Sequence, residues 1–123
     1  MIAVDTSSLR RFLEGAVGRD VDAVGSAVIQ RQLVLPPVVL TEILSEPRLQ
    51  GATVDVLSLI PLLEITDGFW MRSGLLRALV IDSGYKAKVA DSLIAQSCLD
   101  HRVRLITHDR DFRHYEAHGL LVA

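Results

Sequence analysis

Five carboxylates in this chain could do chemistry together. They are Asp5 after Ile-Ala-Val, Glu42 in Leu-Thr-Glu-Ile, Asp91 in Val-Ala-Asp-Ser-Leu-Ile-Ala, and Asp109 with Asp111 in Ile-Thr-His-Asp-Arg-Asp-Phe. Carboxylates gathered in an apolar interior repel one another unless a divalent cation sits among them, so a cluster of this kind would be a hard-metal site. A cation held there activates a water and stabilises charge on a leaving oxygen, which suits phosphodiester hydrolysis without a serine or cysteine nucleophile.

Each acid alone also has a structural explanation. Asp5 and Asp109 suit helix N-caps or turns, Asp91 suits the first turn of a helix, and Glu42 suits a solvated helix position. Glu42 is the hardest to dismiss, because Val38, Val39 and Leu40 precede it and Ile43 and Leu44 follow, leaving its helix little polar face. Thr6, Ser7, Ser92 and Thr107 place hydroxyls within two residues of three of the acids, as support of carboxylate ligands requires. The donor set is oxygen: Cys98 is the only cysteine, and of His101, His108, His114 and His118 only His108 adjoins the acids. Magnesium or manganese fits such a set better than zinc.

The elements that must position these acids alternate short aliphatic runs with segments of helical period, the pattern of a parallel α/β sheet. Strands are predicted over 2–4, 33–35, 64–66 and 103–107, and helices over 6–13, 21–32, 38–45, 54–63, 69–81, 89–101 and 111–117, with a last aliphatic run at 120–122. Asp5 and Asp109 then fall just past strand ends, where open α/β sheets bind ligands. From Asp91, helical counting reaches Ala95 and Cys98, a stripe of small residues behind the acid.

The chain has 123 residues, which suits one domain over 1–123 with a real hydrophobic core. Half its residues are apolar, but prolines and charges break every run before the roughly 20 residues a membrane span needs. With no signal-like start, a cytoplasmic protein is expected. The net charge of −2 argues against a broad basic face for nucleic acid, yet two divalent ions would turn −2 into +2 where a phosphate must arrive. Lys86, Lys88 and Arg110 are the cations best placed to meet that phosphate.

Val-Asp-Thr-Ser at the start, Leu-Thr-Glu-Ile, Val-Ala-Asp-Ser-Leu-Ile-Ala and Ile-Thr-His-Asp-Arg-Asp-Phe, in this order and at these separations, resemble the motifs of the PIN-domain family, and within it the VapC-like toxin ribonucleases. The resemblance spans nearly the whole chain. It implies an α/β/α sandwich around a central parallel sheet, with Asp5, Glu42, Asp91 and Asp109 as catalytic metal-site residues for Mg²⁺ or Mn²⁺. Ser7 and Thr107 match supporting positions, and Asp111 is an adjacent acid. The implied activity is endoribonucleolytic cleavage of single-stranded RNA. The implied partners are a cognate antitoxin, which often plugs the acidic pocket with an arginine, and a second copy of the chain. The segment over 50–81 carries no specific motif, although Phe69, Trp70, Leu75 and Leu76 offer an apolar interface.

Two other classes compete. A phospho-acceptor receiver domain also sets acids and Mg²⁺ at strand ends, but it needs an acceptor aspartate after a middle strand and a lysine after a late one. Here Asp55 lies in a helical pattern and both lysines precede the Asp91 helix. A PIN fold that has lost catalysis and binds RNA or protein would keep the same acids.

Overall fold

The computed structural model describes residues 1–123. Three short parallel strands form its sheet: β1 (Ile2–Val4), β2 (Leu33–Val34) and β3 (Arg104–Ile106), in the order β2-β1-β3. Ile2 pairs with Leu33 on one side and with Arg104 on the other, and Val4 pairs with Ile106. The first strand is thus the central one. The chain leaves it toward β2 and returns on its opposite side as β3, so a crevice opens at the carboxyl ends of β1 and β3, where the strand order reverses.

Helices α1 (Thr6–Leu13) and α2 (Arg19–Ile29) connect β1 to β2. Four more lead from β2 to β3: α3 (Pro37–Leu44), α4 (Gly51–Ser58), α5 (Phe69–Asp82) and α6 (Val89–His101). After β3 the chain forms a 3-10 helix over Arg110–His118. One cluster of 24 buried residues runs from Ala3 to Leu120, with Val4, Leu105, Ile94, Ala95 and Phe112 sealed inside it. Ala95 and Cys98 do lie buried behind Asp91. Burial pushes the Cys98 thiol up to about 12, which leaves it an inert packing group.

The helix expected over 54–63 instead runs over Gly51–Ser58, the last helix is 3-10, and two strand-like runs differ further. No strand forms over 64–66; the sheet edge there is a single bridge between Leu35 and Leu62. Residues 64–66 are exposed, and Arg72 takes the Thr66 hydroxyl at 2.9 Å and the Asp67 carbonyl at 2.6 Å, so a side chain rather than a ladder fixes this segment. The run at 120–122 contributes only a bridge from Val122 to Leu105. No helix of the chain is long and apolar enough to cross a membrane.

Candidate active site

Asp5 enters the crevice as the residue after β1 and as the N-cap of α1. Its Oδ1 accepts the Ser8 backbone N–H at 2.9 Å, the Ser7 hydroxyl reaches both oxygens at 2.8–2.9 Å, and Thr107 donates to Oδ2 at 2.6 Å from the end of β3. The side chain is therefore fixed from both strands. Asp5 is only 2% exposed, and this burial raises its pKa even against those three donors.

Thr107 also accepts the Asp109 N–H at 3.0 Å, so one hydroxyl joins the two acids at the strand ends. Asp109 caps the 3-10 helix by accepting the Asp111 N–H at 2.9 Å, which sets the two carboxylates side by side. Asp91 stands in the first turn of α6. One oxygen from each of Asp91, Asp109 and Asp111 lies within 4.8 Å of the other two. Glu42 is half-buried on α3, its Oε1 receiving the Thr6 hydroxyl at 2.5 Å.

The acids feel one another. The Asp91 pKa is raised to about 6, first by burial, then by the charge of Asp109, with Glu42 and Asp5 adding to it. Lys88, at the start of α6, pulls the other way. Lys86, Lys88 and Arg110 are all exposed, and only Lys88 registers in the field at Asp91.

The geometry rearranges the emphasis of the sequence. Asp111, expected as an adjacent acid, stands in the tight trio with Asp91 and Asp109, while Asp5 and Glu42 sit close enough to raise Asp91 but have their oxygens engaged by hydroxyl and backbone donors. Two contacts between elements gave no sequence signal. Ser92 donates to the Lys88 carbonyl at 3.2 Å, leaving the buried Tyr115 hydroxyl to donate to Ser92 at 2.8 Å, and this bond pins the start of α6 against the 3-10 helix. Asp20 accepts Ser8 Oγ at 2.8 Å and Arg11 Nε at 3.0 Å, tying α2 to the turn that holds Asp5. Both bonds cross between elements, so no local spacing announces them.

The fold is thus a small parallel α/β sheet with carboxylates converging at its switch point. Residues 2–117 match the PIN domain family, and the chain belongs to it. Two solved structures share the fold. One is a toxin-antitoxin complex from Klebsiella pneumoniae, with 22% identity, a TM-score of 0.67, and 91% of this chain and 90% of that one covered. The other is FitAcB from Neisseria gonorrhoeae, with 19% identity, a TM-score of 0.68, and 99% and 96% covered. A comparison with curated proteins gives no match. Family and topology set aside the receiver-domain alternative, and Asp55 lies exposed on α4.

Proposed function

We propose that this PIN-domain protein is a Mg²⁺- or Mn²⁺-dependent endoribonuclease acting on single-stranded RNA, the VapC-like toxin of a toxin-antitoxin pair. The observation that carries the proposal is the unmatched negative charge at the switch point. Three carboxylates meet there, two more bear on them, and only Lys88 answers from outside.

The residues fit a hard cation. All donors are oxygen, and Asp91, pushed up to about 6 first by burial and then by the charge of Asp109, sits where an arriving cation would relieve it. Asp91, Asp109 and Asp111 would hold the ion, with Asp5 and Glu42 completing the acidic wall. When bound, such an ion supplies an activated water and a counter-charge for the phosphoryl oxygens. The chain's own work is orientation. Thr107, Ser7 and the Ser8 N–H keep Asp5 from turning away, Thr6 does the same for Glu42, and the exposed Lys88 and Arg110 meet the phosphates of an arriving strand.

The proposal includes two partners. An antitoxin segment would occupy the acidic pocket with an arginine, whose fork pairs bidentately with carboxylates; the similarity to a chain solved in a toxin-antitoxin complex supports it. A second copy would cover α5, whose outward face presents Trp70, Met71, Leu75 and Leu79. Exposed apolar residues grouped in this way on one helix mark an interaction surface. Of the residues expected at this interface, Phe69 and Leu76 are instead buried in the core, at 2% and 5% exposure.

The test is cleavage of labelled single-stranded RNA with Mn²⁺, with Mg²⁺ and with EDTA, beside Asp91→Asn. Metal-dependent cleavage lost in the variant is expected. Equal traces in both proteins would mean a contaminating nuclease, or a binding module that kept its acids without the chemistry.

A further inference from the structure

Beside the carboxylates lies an arrangement that the proposed chemistry does not use. In a 3-10 helix three residues complete a turn, so side chains at i and i+3 stand in one row, about 6 Å apart along the axis. Asp111 and His114 share such a row on the helix over Arg110–His118. The carboxylate trio thus continues directly into an imidazole. That ring lies flat on Tyr85, with centroids 4.1 Å apart and 12° between the planes. His114 Nδ1 is buried with no hydrogen-bond partner, so the ring is placed by its face and not by a polar contact.

Tyr85 is 50% exposed, with one face on His114. It stands in the segment between α5 and α6 that also carries Lys86 and Lys88. On the 3-10 helix that carries His114, Arg110 and Arg113 form another i, i+3 row. All four cations are exposed, and none has a carboxylate at ion-pair distance. Unpaired cations on the two segments that meet in this stack, beside an exposed aromatic ring, make the recognition chemistry of single-stranded nucleic acid, in which bases stack and phosphates are gripped.

We propose that the Tyr85–His114 stack is a base platform. One nucleobase of the RNA, next to the phosphate held at the carboxylates, lies on the open face of Tyr85, while Lys86 and Lys88 from its own segment and Arg110 and Arg113 from the 3-10 helix hold the backbone. This deepens the reading of the pocket as a ribonuclease site and rests on it. The platform reads the face of a base and not its edge, so it accepts any base and rejects a missing one.

The experiment measures binding of the Asp91→Asn protein, which keeps the strand intact, to a short single-stranded RNA carrying one 2-aminopurine, and to the same strand with that base removed. Tyr85→Ala in this background is expected to weaken binding to the intact strand by about 5- to 150-fold and to abolish the fluorescence quenching of a stacked base. The abasic strand should bind both proteins alike. Tyr85→Phe should bind within about twofold of the parent, because it keeps the ring face. Arg113→Ala should weaken all strands alike and flatten the salt dependence. Unchanged affinity and quenching in Tyr85→Ala, or equal losses in Tyr85→Ala and Tyr85→Phe, would overturn the platform. So would tighter binding of an acidic peptide than of RNA. Calorimetry of Mn²⁺ with otherwise wild-type protein and with Tyr85→Ala separates the two levels of the argument. Wild type that cleaves RNA and binds Mn²⁺, with RNA affinity and quenching unchanged in Tyr85→Ala, removes the platform alone. Wild type that neither binds Mn²⁺ nor cleaves RNA removes the ribonuclease, and the platform with it.

Discussion

Asp20 and Asp91 are both aspartates in the first turn of a helix, yet they meet opposite fates. Burial pushes Asp20 up, but hydrogen bonds from Arg11 and Ser8 outweigh it and hold the pKa below the usual range. Asp100 behaves alike, with Arg72 at 2.7 Å and Gln96 at 2.8 Å overcoming its burial. At Asp91 burial and the neighbouring acids act in the same direction. The fold thus neutralises its acids at Asp20 and Asp100 but not at the switch point. Matched acids are struts, and unmatched ones are left for something that arrives from outside.

Four changes sharpen or break that contrast, taken from the largest effect to the smallest. Asp109→Asn should reduce Mn²⁺ affinity by more than the roughly 10- to 100-fold that loss of a supporting hydrogen bond costs, while Asp20→Asn should leave it within a few-fold. Equal losses by calorimetry would erase the distinction. Thr107→Val removes the hydroxyl shared by Asp5 and Asp109, and should cost about 10- to 100-fold in metal affinity with little change in the melting midpoint.

Asp20→Ala should do the reverse. It strands the Ser8 hydroxyl and the Arg11 guanidinium, and should destabilise the fold by about 1–3 kcal/mol in urea unfolding. The fourth change concerns pH without metal. The folded pKa of Asp91 is raised, so the native state holds the proton more tightly than the unfolded chain does. Its contribution to stability is full below about pH 4 and is lost as pH rises through about 6. Asp91→Asn should therefore stabilise the metal-free protein at pH 8 by about 1 kcal/mol after solvent screening, and by nothing measurable at pH 4. A variant less stable than wild type at pH 8 would show that Asp91 is matched after all.

The acids were legible in the sequence because strand ends and helix starts are local features. A short aliphatic run ending at Asp5, and a helix opening near Asp91, fix each side chain's address before any tertiary contact is known. The order of the strands was less legible. The run at 64–66 has a strand-like composition, but Arg72, anchored on Asp100, captures its polar groups first. The rank of Asp111 within the cluster depends on 3-10 rather than α geometry after β3, a difference of a fraction of a residue per turn that no apolar period reveals. The stack of Tyr85 on His114 joins segments 29 residues apart and left no trace in either.

The hydrogen bond from Thr107 to Asp5 spans 102 positions of the chain. Closing so long a loop is entropically costly and slow compared with forming local helices, so this contact belongs to the late stages of folding. On a ribosome adding roughly 5–20 residues per second, the helices of the first half can form seconds before the residue that completes the pocket has been made. The pocket therefore forms only once β3 and the residues after it have been made, and a chain that stops before β3 has Asp5, Glu42 and Asp91 but lacks Asp109, Asp111 and the Thr107 hydroxyl that joins the strand ends.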